Sequence, residues 1–245
     1  MIVFDNVTFG YGARPVLKNA SLSIGAEERV AILGGSGEGK TTILKLILGL
    51  IRPDSGHIII GEDDITVKSE DELRDIRRKF SIVFQEGALF DSLSVRENVA
   101  FCLREFTSMS EEEIEAKVRE LLKIVGVEHA IDLMPDELSG GMHRRVAIAR
   151  SLAAFQPMMV FYDEATTGLD PVNADRICKL INELCTEGMG MIIVTHKVVD
   201  AFKVAKRFLF LLNGNIIFDG DRPGLLQSNN PEIQEFLNEF HFQID

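Results

Sequence analysis

One octapeptide constrains this chain more than anything else in it: Gly34-Gly35-Ser36-Gly37-Glu38-Gly39-Lys40-Thr41, directly behind the apolar run Val30-Ala31-Ile32-Leu33. Its spacing satisfies G-x-x-x-x-G-K-[ST], the pattern of a phosphate-binding loop. Glycines let the backbone wrap until successive N–H groups face one anion, and a helix beginning near Gly39 adds its positive end. In such a loop Lys40 reaches the β- and γ-phosphates of a nucleotide, and the Thr41 hydroxyl ligates Mg²⁺. The expected local structure is strand, loop, helix. Glu38 sets a carboxylate beside an anion site and is expected to point to solvent.

Further apolar runs at residues 81–84, 158–162 and 191–195 are continuous, as suits a parallel sheet covered on both faces. Ile2-Val3-Phe4, Val7-Thr8-Phe9, residues 20–24 and residues 57–60 read as additional strands. Residues 208–212 and 215–218 flank Asn213-Gly214, a pair that supplies the positive φ of a hairpin turn. Residues 86–136 carry helical signals and little strand signal, predicting a helical insertion. Its clearest helix opens at Ser110 in a capping box with Glu113, aligns Ile114, Val118, Leu121, Leu122 and Val125, and stops at Gly126. Glu113–Lys117 and Glu115–Arg119 have the spacing of i,i+4 ion pairs. Ala174, Ile177, Leu180, Ile181 and Leu184 mark another helix, closed by Gly188. Near the C-terminus Ile233, Phe236, Leu237 and Phe240 share a helical face, which either packs on its own domain or reaches a neighbouring chain.

A chain of 245 residues suits one α/β domain with a sizeable core, and no repeat or linker divides it. The formal charge, 26 − 38 = −12, repels a phosphate backbone and disfavours nucleic acid as a partner. The most apolar stretch, residues 43–51, contains Lys45 and falls short of the ~20 residues that span a bilayer. No signal-peptide pattern is seen, so a cytoplasmic chain is expected. Cys102, Cys178 and Cys185 lack metal or disulfide spacing and read as free thiols.

Val160-Phe161-Tyr162-Asp163-Glu164 ends an apolar strand with two acids. Ligands of doubly wound sheets bind at the carboxyl ends of the strands, which brings Asp163 beside the phosphate loop. Asp163 then suits a Mg²⁺ contact, and Glu164 suits polarising an attacking water. Gln85 and His196 follow two other apolar strands and are expected on the same edge. His57, His129, His143 and His241 have no such placement and read as surface or packing residues.

Leu138-Ser139-Gly140-Gly141-Met142 resembles the signature motif of the ABC (ATP-binding cassette) ATPases, and lies between the phosphate loop and the acid pair as in that family. Gln85 matches its Q-loop, residues 165–170 its D-loop, His196 its switch histidine and Tyr11 its adenine-stacking aromatic. The resemblance covers essentially the whole chain. It implies an α/β fold: a P-loop NTPase (RecA-like) core with a mostly parallel sheet, an N-terminal antiparallel β subdomain and a helical insertion subdomain. One ABC ATPase domain would span 1–245, with the helical subdomain at about 86–150 and a C-terminal helical extension at about 223–245. ATP would be held by Tyr11, Val16, Gly34, Gly35, Ser36, Gly37, Glu38, Gly39, Lys40, Thr41 and Thr42. Ser139, Gly140 and Gly141 would bind it in trans, from a second copy. Mg²⁺ would fall to Thr41, Gln85 and Asp163, and catalysis to Glu164, His196, Gln85 and Lys40. Two cassettes would close over two ATP molecules and open on hydrolysis. Met142 stands where the family commonly has Gln, and Ala165 where it has Pro. Neither removes a reacting group, so ATP hydrolysis is still expected.

Residues 85–95, with the signature segment and Arg144-Arg145-Val146-Ala147, look like the ATPases that partner MCE-domain proteins in Mla-type phospholipid trafficking. This narrower resemblance implies a polytopic membrane permease, an MCE-domain lipid-binding subunit and a small cytosolic regulator as partners. The chain would then be peripheral on the cytoplasmic face of the inner membrane. The competing readings are a small-solute importer ATPase, a cell-division-type cassette, a soluble ABC ATPase acting on ribosome or DNA, and a non-hydrolysing regulator.

Overall fold

The computed structural model describes residues 1–153, 157–185 and 188–238. Its strands are β1 (Ile2–Tyr11), β2 (Arg14–Ile24), β3 (Arg29–Leu33), β4 (Ser55–Ile60), β5 (Asp63–Asp64), β6 (Phe80–Val83), β7 (Met159–Asp163), β8 (Gly190–Thr195), β9 (Arg207–Leu212) and β10 (Asn215–Gly220). The helices are α1 (Lys40–Ile47), α2 (Glu70–Arg77), α3 (Val95–Phe106), α4 (Glu111–Ile124), α5 (Gly140–Ser151), α6 (Pro171–Leu184), α7 (Val198–Val204), α8 (Arg222–Leu226) and α9 (Pro231–Asn238).

The six-stranded central sheet has the order β10-β9-β3-β8-β7-β6. It is parallel throughout except for the β9–β10 hairpin, whose turn residues Asn213 and Gly214 have φ of 51° and 82°. Alternate side chains of each parallel strand enter two different cores. Val30, Ile32, Phe161, Ile192 and Val194 face α1 and the N-terminal sheet. Ala31, Leu33, Val160, Tyr162, Met191 and Ile193 face the helices of the opposite layer. Burial on both faces is why these strands are continuously apolar in sequence.

The N-terminal sheet, β2-β1-β4-β5, is antiparallel as expected. Its two leading β runs are one strand, bulged between Phe4 and Val7, where Asn6 takes φ 51°. The segment from 86 onward folds as α3, α4 and α5, which pack Val99, Val118 and Val146 into a shared apolar cluster.

Three local expectations change. Glu113 spends its carboxylate on the Ser110 N–H (2.7 Å), so Lys117 pairs with Glu120 at 2.9 Å instead; Glu115–Arg119 forms at 2.7 Å. α6 ends at Leu184, ahead of Gly188. α2 stands in a charged stretch that periodicity does not mark, opened by a Ser69–Glu72 capping box. α9 packs on its own domain, with Ile233 and Leu237 buried and the rings of Phe236 and Phe210 at 4.9 Å. Phe240 and His241 lie outside the described residues. The three cysteines are free thiols, Cys178 and Cys185 buried.

Candidate functional site

β3 delivers the chain into the loop, and the turn is tight enough to require glycine. A Cβ on Gly34 would stand 2.4 Å from the Leu211 carbonyl oxygen. Gly39, the N-cap of α1, has φ 102°, and a Cβ there would stand 2.5 Å from Val16 Cγ1. Val16 thus supports the loop from behind while lining the cleft in front of it.

Lys40 is buried and donates to the carbonyls of Gly34 (2.9 Å) and Gly35 (2.8 Å), with Glu164 Oε1 at 3.6 Å. Burial lowers its pKa, and the nearby Glu164 and Asp163 offset part of that. The Thr41 hydroxyl donates to Asp163 Oδ1 at 2.9 Å, so two of the three residues expected to hold Mg²⁺ bring hard oxygens to one spot. Burial raises the pKa of the Asp163 carboxyl, against the Thr41 bond; the neighbouring Glu164 adds to the rise.

Glu164 follows β7 with φ 49°, a left-handed conformation uncommon outside glycine. Its side chain is fixed on both oxygens. His196 Nδ1 donates to Oε1 at 3.0 Å, while the hydroxyls of Thr167 (2.8 Å) and Thr195 (3.1 Å) donate to Oε2. Burial opposes its charge, but the hydrogen bonds from His196 and Thr167 and the charges of His196 and Lys40 outweigh it. The net pKa lies below the ordinary value. Glu164 is therefore an ionised, oriented carboxylate at neutral pH.

These groups open into a cleft of about 400 Å³ lined by Tyr11, Val16, Ser36, Gly37, Gly39, Lys40, Thr41, Thr42, Gln85 and Glu164. The Phe9 ring meets the Tyr11 ring edge-on at 4.9 Å and steadies it. Gly34, Gly35, Glu38, Asp163 and His196 are not in the lining, though Asp163 and His196 each bond to a residue that is. Glu38 is half-exposed and accepts the Asn213 N–H, which ties the phosphate loop to the β9–β10 turn. His143, expected as a surface or packing residue, packs against Gly87, two residues after Gln85.

Arg14 also lines the cleft, beside Gly37 and Tyr11, and went unnoticed in the sequence. Only its place between an aromatic and the hairpin return could have marked it. Ser139, Gly140 and Gly141 open α5 elsewhere; Ser139 caps the helix through the Met142 N–H at 3.3 Å, and Ser139 and Gly140 are exposed. They present a helix N-terminus outward, away from the cleft of their own chain.

The ABC transporter family profile matches residues 17–167, from β2 through the acid pair. The chain belongs to the ABC transporter family. This cassette is 37% identical over 239 residues to the intermembrane phospholipid transport system ATP-binding protein MlaF of Escherichia coli K12, covering 97% of this chain and 88% of that protein. It is 42% identical over 239 residues to the glutamine transport ATP-binding protein GlnQ of the same organism, covering 97% of this chain and 98% of that one. Among solved structures it is similar to the ATP-binding cassette MJ0796, dimeric in a post-hydrolysis state bound to ADP and Pi. That match has a TM-score of 0.82 at 34% identity and covers 90% of this chain and 98% of the other. The protein is an ABC transporter ATP-binding subunit and an ATPase.

Proposed function

We propose that two copies of this cassette close over two ATP molecules, each site joining the phosphate loop of one copy to Ser139 and Gly141 of the other. The outward-facing N-terminus of α5 supports this reading, because among the described residues it is an anion-binding group that does not line the cleft of its own chain. The dimeric MJ0796 cassette is consistent with it.

Glu164 carries the chemistry. Its ionised carboxylate, held by His196, Thr167 and Thr195, accepts a proton from the attacking water. Lys40 leaves its loop carbonyls for the γ-phosphate. Thr41, Asp163 and Gln85 offer the oxygen donors that would hold Mg²⁺, which when bound neutralises charge between the β- and γ-phosphates. Gln85 and the neighbouring helical insertion face the membrane subunit.

The cargo is a phospholipid. The likeness to MlaF over 97% of the chain supports this, with residues 85–95 adjoining Gln85. A polytopic permease, an MCE-domain lipid-binding subunit and a small cytosolic regulator complete the assembly on the cytoplasmic membrane face. Among the described residues no helix is long and apolar enough to cross a membrane. The likeness to GlnQ carries the second reading, a small-solute importer. The test is to purify the tagged complex from native membranes, reconstitute it and measure ATPase stimulation. Phospholipid with the lipid-binding subunit should stimulate turnover. Stimulation by an amino acid with its binding protein, and none by lipid, would decide for the importer.

A further inference from the structure

Arg144 lies just over one turn into α5, on the helix that begins at Ser139, and is only 7% exposed. Its Nη1 donates to the Phe84 carbonyl at 2.8 Å and its Nη2 to the Thr167 carbonyl at 3.4 Å. Phe84 is the residue before Gln85. Thr167 sends both its donors to Glu164: the hydroxyl to Oε2 at 2.8 Å and the N–H to the carbonyl at 3.0 Å. One side chain therefore spans the backbone beside Gln85 and the loop that holds the catalytic carboxylate.

The guanidinium is poorly compensated for so buried a charge. Among the described residues its Nε has no hydrogen-bond partner, both acceptors are neutral carbonyls, and Glu86 acts on it only electrostatically. Burying a charge without a bonded counter-ion is expensive, and an apolar side chain would fill the volume at lower cost. Holding two carbonyls from separate loops instead requires a rigid fork of donors, which arginine alone provides. The Thr167 bond is also long. A sub-ångström movement of either loop decides whether it tightens or breaks.

We propose that Arg144 is a positioning residue for ATP hydrolysis: it ties Thr167, and through Thr167 the orientation of Glu164, to the backbone beside Gln85. Movement of the Gln85 loop then re-aims Glu164 without touching the nucleotide. The inference rests on the role given to Glu164 above.

A double-mutant cycle on the full chain tests it, with Arg144→Met, Thr167→Val and the pair. Each single change should lower kcat by about tenfold through misplacement of Glu164, leaving ATP affinity unaltered. The pair should fall no further than the worse single variant, since both cut one link. Arg144→Lys, which keeps a donor but loses the fork, should recover part of kcat. Unchanged kcat, losses that multiply in the pair, or a loss expressed as weaker ATP binding would overturn the proposal. If Arg144→Met does not fold, Arg144→Lys combined with Thr167→Val runs the same cycle. Full activity in Glu164→Gln would remove the underlying assignment instead. An inactive Glu164→Gln beside an unimpaired Arg144→Met would sink only the link.

Discussion

The strain held at Gly39 can be measured in two parts. Gly39→Ala must place a side chain at φ 102° and ψ 13°, with its Cβ 2.5 Å from Val16 Cγ1. The backbone part costs about 1–2 kcal/mol, the usual penalty for an L-residue in the left-handed region. Overpacking against Val16 adds about 1–3 kcal/mol. The sum is about 2–5 kcal/mol, and at about 2–4 °C per kcal/mol the variant should unfold about 4–20 °C below wild type. Val16→Ala removes the clashing methyl but leaves the dihedral. In that background the cost of Gly39→Ala should shrink to the backbone part, about 1–2 kcal/mol. Thermal unfolding of the four nucleotide-free proteins by circular dichroism reads both parts. The reasoning is refuted if Gly39→Ala unfolds with wild type, or if Val16→Ala leaves its penalty untouched.

Arg14→Gln should weaken ATP and ADP alike, by about two- to fivefold for an exposed ionic contact, and the loss should shrink at high salt. Calorimetric titration at two salt concentrations checks this; unaltered affinity for both nucleotides would contradict it. Asp163 and Glu164 should tilt the pH dependence of stability in opposite directions. Asp163 has a raised folded pKa, so its contribution is full below the ordinary Asp value and is lost as pH rises through the folded value. Asp163→Asn should therefore raise the Tm of the nucleotide-free chain at neutral pH, the gain vanishing in acid. Glu164 has a lowered folded pKa, so its contribution is present above the ordinary Glu value and lost as pH falls through the folded one. Glu164→Gln should lower Tm at neutral pH, with the gap closing in acid. Melting curves across pH test both signs.

The phosphate-loop side of the site was legible because each of its motifs sits where a strand ends. Gly34 to Thr41 follows β3, Asp163 and Glu164 close or follow β7, and His196 follows β8. Continuous apolar strands betrayed the two-faced sheet. What escaped the sequence was decided by distant partners or by competition. Glu38 is spoken for by Asn213, 175 residues away. Glu113 chose the helix cap over Lys117 because the cap bond satisfies a backbone N–H at the N-terminus of its own helix. α2 buries only Leu73 and Ile76, too few apolar positions to show a period, although its Ser69–Glu72 box was readable. Arg144 and Arg145 are adjacent and alike in sequence; only packing separates the buried one from its neighbour.

In the proposed mechanism catalysis needs two chains and Glu164. Sedimentation of the Glu164→Gln chain, with and without ATP and Mg²⁺, tests it most directly, paired with steady-state ATPase rates. The variant should bind ATP, barely turn over and sediment as a dimer only when ATP is present, and Ser139→Ala should weaken that dimer. A Glu164→Gln chain that hydrolyses ATP like wild type, or stays monomeric with ATP bound, would contradict it.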